Sequence, residues 1–406
     1  MPAWLYLLTQ LNRRLWLSAA AYSLLGLLAA LLAAAFDQYV PSDFPLKVGS
    51  DSVDDILSIL ASSMLAVATF SLTTLVTAYT AVGASAAPRA SELLVSDRAI
   101  RSALGTFVGA FIYAVVGIVA LHTGYYGAQG RVILFFVTLL VLVLVILAML
   151  RWIGELSGLG QTGDAIDRVA QAAERALGTD IAGRAWRTEA PPPSDARPVV
   201  ATKTGFIQNV DLSALDELTG EGREIWLTAG AGDFVHPGRR IALVRGEVPD
   251  EALCEAITVG NRRTFDQDPR YGLEVLGEIA ARALSPGVND PGTAKAALSA
   301  AVVRLDGWAR RGSDQGAAAA GAQPAPLSGE ELLSGLIDPL ARHGAAAYPL
   351  QLDAQALLAA LRHSPDRRLA RAADQAAARL AAAAREALES PREKGQVTAA
   401  EAAGAA

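Results

Sequence analysis

The chain has 406 residues, 52% of them hydrophobic, with a formal net charge of −6 and one cysteine. Mild acidity without a basic patch argues against nucleic acid as a partner. A single cysteine, Cys254, excludes an internal disulfide framework, and four scattered histidines offer no cluster at metal spacing.

The apolar residues are bunched in the first 155 positions. Four stretches, roughly 15–36, 56–81, 103–122 and 131–152, reach the ~20 residues needed to cross a ~30 Å hydrocarbon core. The first follows Asn12-Arg13-Arg14 and ends in Ala33-Ala34-Ala35, the outline of a cleaved signal. Its apolar run is longer than a signal core of ~7–15 residues, so an uncleaved helix is expected.

The loop that follows carries Asp37, Asp43, Asp51, Asp54 and Asp55 against Lys47. It reads either as a vestibule that concentrates cations or as a solvated loop capping the second span. That second span, DILSILASSMLAVATFSLTTLVTAYT, is rich in hydroxyls. At 100° per residue, Ser58, Ser62, Thr69, Thr73 and Thr80 fall within about 60° of one another, with Thr77 beside them. A hydroxylated face in a membrane is expected against protein or water, as a pore lining or a helix seam.

Pro88 should end this helix near Ala87, and Glu92, Asp97, Arg98 and Arg101 suit a short amphipathic helix at the membrane surface. The third span places Gly105, Gly109, Tyr113 and Gly117 at four-residue spacing, a face for close helix packing. The fourth is apolar all round and reads as lipid-facing, with Trp152 at the inner interface. No Asp, Glu, Lys or Arg lies in the interior of any span, which weighs against a proton-coupled pump and leaves a passive pore open. Arg13, Arg14, Arg89, Arg98, Arg101 and Arg151 fall on one side, against Lys47 and Arg131 on the other. The positive-inside rule therefore predicts a multi-pass protein of the bacterial inner membrane with both termini cytoplasmic.

Residues 1–155 thus form a membrane domain, and 156–197 a helix and a Pro-rich linker around Pro191-Pro192-Pro193. Residues 198–248 read as a small β module with strands near 199–201, 206–210, 224–227 and 241–244. The text GAGDFVHPG has the turn chemistry of a compact barrel. The spacing GDFVxPGxxIAxV is similar to biotinyl and lipoyl modules, but no lysine stands in a Met-Lys-Met context, so no cofactor is expected. His236 reads as a loop residue.

Residues 249–311 are expected to be helical, with two polar loops: Asp266, Asp268 and Arg270 around a proline turn, and Asn289-Asp290-Pro291-Gly292 with N-cap chemistry. They could hold a cation or a phosphate, or simply fix two turns by capping and salt bridging. No Ser/His/Asp or paired-acid constellation appears, so neither catalysis nor a metal site is expected. Residues 312–328 read as a low-complexity linker, 329–390 as amphipathic helices and 391–406 as a disordered tail.

The stretches VATFSLTTLVTAYTAVGASAAPRA, LGTFVGAFIYAVVGIVAL, TGFIQNVD, GDFVHPG and FDQDPRYGLEVLGEIAARALSPGVNDPGTA resemble the bacterial membrane proteins grouped as domain of unknown function 2254. The resemblance spans most of residues 1–305 and implies an integral inner-membrane protein with a cytoplasmic domain. It brings no activity and no catalytic residues.

The expected fold is an α-helical integral membrane protein with four transmembrane helices and a cytoplasmic α+β region containing a barrel-like module. The expected function is a homo-oligomeric channel or passive transport protein for small ions. The alternative is a non-conducting membrane anchor presenting a cytoplasmic binding or regulatory module. Expected partners are the lipid bilayer, further copies of the chain and small ions.

Overall fold

The computed structural model describes Tyr6 and residues 15–35, 50–85, 87–95, 98–123, 125–126, 128–156, 161–188, 192–312 and 321–404. The expectations on Arg13, Arg14, Asp37, Asp43, Lys47, Asp97 and Pro191 lie outside the described residues. The chain divides into two compact units. One comprises Leu8–Gly83 and Ser91–Gln161; the other comprises Met1–Leu7, Ala84–Ala90 and Thr162–Ala406.

The first unit is helical: α1 (Leu15–Ala35), α2 (Ser50–Ser85), α3 (Ser91–Val95), α4 (Arg98–His122) and α5 (Ala128–Leu156). Three segments, Ser52–Gly83, Ala99–His122 and Gly130–Leu156, are long and apolar enough to cross a membrane. Four spans were expected. The first segment does form a helix, but its apolar stretch, Ala19–Leu31, is shorter than the other three. As expected, α2 ends before Pro88, which sits in a turn.

Leu57, Phe107, Tyr113 and Leu134 are fully buried in the core of this unit. Tyr113 and Thr138 share a hydrogen bond of 2.8 Å there, and Thr138 donates to the Leu134 carbonyl at 2.7 Å. Trp152 is buried in the same core. The outer surface of α5 is apolar, with Leu139, Leu140, Leu144 and Leu150 exposed.

The glycine face of α4 serves mainly α1. A methyl group on Gly109 would lie 2.7 Å from the Tyr22 carbonyl oxygen, and one on Gly26 would lie 2.5 Å from that of Gly109. Gly105 abuts the Tyr22 ring, whereas Gly117 faces Leu57 of α2. Backbones this close admit no side chain between them.

The second unit opens with α6 (Thr162–Leu177) and α7 (Asp180–Arg187). Six strands follow: β1 (Arg197–Val200), β2 (Gly205–Val210), β3 (Glu224–Leu227), β4 (Phe234–Val235), β5 (Arg240–Arg245) and β6 (Ile257–Gly260). The short helices α8 (Leu212–Leu218) and α9 (Asp250–Glu255) interrupt them. The strands form no closed barrel. They make two three-stranded antiparallel sheets, β1-β5-β3 and β4-β2-β6, over one core that includes Val199, Ile207, Ile225, Val235 and Val244. With two residues, β4 is too short to join one sheet to the other. Strand β6 lies in a stretch expected to be helical. The supposed linker also contributes order: Gln323 exchanges backbone hydrogen bonds with Ile225 and Leu227 on β3.

Helices α10 (Pro269–Ala283), α11 (Pro291–Gly312), α12 (Gly329–His343), α13 (Tyr348–Arg362), α14 (Arg367–Ala387) and α15 (Pro391–Ala403) complete the unit. A capping box at Ser328 starts α12, and Asp366 caps α14. The tail expected to be disordered is α15. It buries Val397, Gln396 accepts a hydrogen bond from Tyr348, and Arg362 donates to the Glu401 carbonyl.

Candidate functional site

Two groups of residues concentrate the polar chemistry, one in each unit. In α2, Val53, Leu57, Leu60, Met64 and Leu75 are buried in the core of its own bundle, and Ser71, Ala78 and Val82 are buried on the same side of the helix. On the same 100° scale these lie about 190° from the middle of the hydroxyl stripe, on the opposite side of the helix. Ser58, Ser62, Thr69, Thr73, Thr77 and Thr80 are all exposed on the single chain.

Five of the six stripe hydroxyls, those of Ser62, Thr69, Thr73, Thr77 and Thr80, are satisfied within their own helix. Ser62 donates to the Ser58 carbonyl at 2.9 Å, Thr69 to Leu65 at 2.8 Å, and Thr73 to Thr69 at 3.0 Å. Thr77 donates to Thr73 at 3.0 Å and Thr80 to Thr77 at 2.8 Å. Each of these five protons is thereby committed to backbone, and the oxygen lone pairs remain as acceptors.

In the second unit the focus is Asp268, 1% exposed at the N-cap of α10, where it accepts the Tyr271 amide at 3.2 Å. Arg263 clasps it with Nε at 2.8 Å and Nη2 at 2.7 Å, and reaches Glu274 at 2.5 Å. The same guanidinium lies over the Tyr271 ring, 4.7 Å from its centroid. Arg270 approaches Asp268 at 3.7 Å and donates to Asp233 and to the Ala231 carbonyl, both at 2.9 Å.

Gly232 has a φ of +92°, and any β-carbon there would overlap the Asp268 carboxylate. This turn is open only to glycine. Burial pushes the Asp268 carboxyl up, against the pull of Arg263 and Arg270.

Three separate texts meet at this node. Gln267 accepts the Val210 amide at 2.8 Å and donates to Asn209 at 3.0 Å, tying IQNVD to FDQDPRYG. Asp233 brings in the GDF turn. Arg89 pairs with Glu278 and lies 3.7 Å from Glu274 on α10. The Tyr6 hydroxyl reaches Asp266 at 3.4 Å. Arg89, Arg263 and Arg270 thus stand against five carboxylates, Asp233, Asp266, Asp268, Glu274 and Glu278, which leaves these three arginines no surplus of positive charge for an anion.

Of the predicted cluster, Asp266, Asp268 and Arg270 gather at one end of α10. Asn289 and Asp290 follow its other end, about 22 Å away along a 15-residue helix. Sequence reasoning missed Arg263, Asp233 and Glu274 as members. The doubled arginine in NRRTFDQD was the available signal, since a buried aspartate needs a cation.

Asn289 is exposed and left-handed, with a φ of 48°. Asp290 caps α11 through the Thr293 amide at 3.1 Å and hydroxyl at 2.6 Å, and those bonds hold its carboxyl below the usual range. Asp290→Ala should cost about 0.5 kcal/mol, the low end of capping effects because the site is exposed. The depressed folded pKa means that this contribution is full above the unfolded value and is lost as pH falls through the folded one. Amide exchange at Thr293, compared at neutral and acid pH, reads it directly.

A cavity of about 320 Å³ opens beside the node, with Arg239, Arg270, Asp233, Gln267 and Glu331 on its wall. Among the described residues, no group of three or more His, Cys, Asp or Glu converges as metal ligands would. His236 is an exposed loop residue whose Nδ1 lies 3.0 Å from the Pro237 carbonyl.

The family described as "Predicted membrane protein (DUF2254)" matches residues 12–360. Uncharacterized proteins of Mycobacterium bovis and Mycobacterium tuberculosis are each 36% identical to the chain over 126 residues, 29% of this chain and 24% of the relative. The matched region therefore spans about a quarter of the length of these curated relatives. No solved structure matches the chain.

Proposed function

We propose, from the premise that the chain belongs to the DUF2254 family of predicted membrane proteins, that it is a homo-oligomeric passive conduit for small cations. In this reading α1 joins the three longer helices as a fourth span, since its 21 residues extend about 31 Å. The arginine distribution sets both termini on the cytoplasmic side of the bacterial inner membrane.

One observation carries the reading: the hydroxyl stripe of α2 points away from the chain's own bundle. In a lone chain those six hydroxyls meet lipid. In a ring of copies with α2 innermost they line an axis, and their free lone pairs replace part of a cation's hydration shell. No buried charge is needed for such a path.

The test is reconstitution of the full chain in planar bilayers, with and without Ser62→Leu, Thr69→Leu and Thr73→Leu together. The expected result is at least a tenfold loss of conductance with the oligomer and its melting temperature retained. A triple variant that no longer assembles would make the stripe a helix seam. Monomers with electrically silent bilayers would remove the conduit altogether.

The second reading is a membrane anchor that displays a cytoplasmic binding module. The cavity beside Asp268 favours it, because its volume falls at the lower end of the ~300–1,000 Å³ usual for small-ligand sites. Neither reading invokes catalysis, for which no nucleophile and base stand together at the node.

A further inference from the structure

We infer that the membrane unit holds one anionic phospholipid in a groove between α1, α4 and α5. The groove is a cavity of about 1010 Å³ within the helical unit, open along one side. It runs from Arg151 on α5 and Ser102 on α4 to Val137 and Tyr113. Fourteen residues of α5 separate its ends, about 21 Å at the helical rise. That length covers one leaflet of a ~30 Å core together with its interfacial edge.

Polarity changes along the groove in the order of a phospholipid's own groups. At one end stands the Arg151 guanidinium, exposed and, among the described residues, without a recorded acidic partner. Next come hydroxyls: Tyr22 and Ser102 share a hydrogen bond of 3.1 Å, and Thr106 donates to the Ser102 carbonyl at 2.8 Å. Beyond them the wall is apolar, with Leu140 and Leu144 of α5 about half exposed. A phosphate at the guanidinium, ester oxygens at the hydroxyls and an acyl chain along the leucines satisfy each part in turn.

A helix from a second copy would also cover apolar surface. It would have to offer a carboxylate, hydroxyl partners and an apolar face in the same order, and the acidic residues of the long spans, Asp54, Asp55 and Glu155, stand only at their ends. The order of groups along the groove therefore selects lipid.

The full chain, purified in detergent, is equilibrated with equal amounts of phosphatidylglycerol and phosphatidylcholine and examined by native mass spectrometry. The wild type is expected to retain phosphatidylglycerol about fivefold over phosphatidylcholine, the effect of one interfacial cationic contact. Arg151→Gln removes the preference and Arg151→Lys keeps it. Val141→Trp, which fills the apolar stretch, lowers retention of both lipids.

Equal retention of the two lipids by the wild type overturns the inference, as does an Arg151→Gln protein that keeps the preference. A disulfide between two chains carrying Leu144→Cys in lipid-replete membranes would place a second copy in the groove and overturn it too. Should Arg151→Gln fail to accumulate, salt decides: the wild-type preference must shrink on going to ~1 M, where screening acts over ~3 Å.

Discussion

Asp268→Ala is expected to destabilise the protein by about 3–5 kcal/mol, the range for removing one side of a buried ion pair. The carboxylate is 1% exposed, and Arg263 beside it is 19% exposed and would keep Glu274 as its remaining acidic partner, which places the loss at the lower end of that range. The helix loses its cap as well, worth about 1 kcal/mol. Asp268→Asn keeps the volume and the cap oxygen and removes only the charge, so its loss should be distinctly smaller.

Burial raises the folded pKa of this carboxyl above its unfolded value. Its contribution is therefore largest below the unfolded value and declines as pH rises through the folded one. The deficit of Asp268→Ala against the wild type should accordingly be widest in acid, where the wild-type carboxyl is neutral, while the gap between the two variants, neither of which titrates at this position, stays constant with pH. Thermal unfolding of the detergent-solubilised chain measures all three proteins. If Asp268→Ala melts with the wild type, the convergence of the three texts on this carboxylate has no structural weight.

Gly109→Ala, like Gly26→Ala across the same contact, should be among the most damaging single-methyl changes in the membrane unit. The new β-carbon would sit 2.7 Å from a backbone oxygen of α1 and 3.0 Å from its carbon. Backbone cannot swing aside, so α1 must shift as a body, at a cost near or above the upper end of the ~1–3 kcal/mol typical of overpacking. Gly117→Ala is the control, because its nearest neighbour is the tip of Leu57 at 3.1 Å and a side-chain tip can rotate. Loss of α1–α4 cysteine crosslinking in Gly109→Ala, with retention in Gly117→Ala, is the predicted pattern. Equal behaviour of the two would show that the close approach is not what holds α1.

Much of the architecture was legible because it depends on local pattern. Apolar runs of span length, the turn at Pro88, the strands around 206–210 and 224–227, and the caps at Ser328, Asp290 and Asp366 all follow from short-range chemistry. What escaped depends on pairing across the chain. A helical period shows that six hydroxyls share a face, but the direction of that face is set by which neighbours claim the opposite one. The four residues Ile257–Gly260 become a strand only because β2 is there to pair with them. Arg263 and Asp268 are five residues apart in a loop, a spacing with no periodic meaning. The alanine-rich tail lacked the composition of a core, and α15 is held by polar contacts from α13 together with Val397, which packs into a small cluster with Ala381, Ala384 and Leu388.

The pairing of Arg89 with Glu278 bears on the order in which the protein can be made. Arg89 leaves the ribosome before α4 and α5 exist, while its partners emerge some 190 residues later. Closing so long a loop is slow, although each doubling of its length adds only ~0.6 kcal/mol. The second unit can therefore reach its final form only after the helices between Ala84–Ala90 and Thr162–Ala406 have been synthesised. A soluble fragment begun at Thr162 would fold, if it folds, without the arginine that meets Glu278. Differences between that fragment and the whole chain then report on biogenesis as much as on stability.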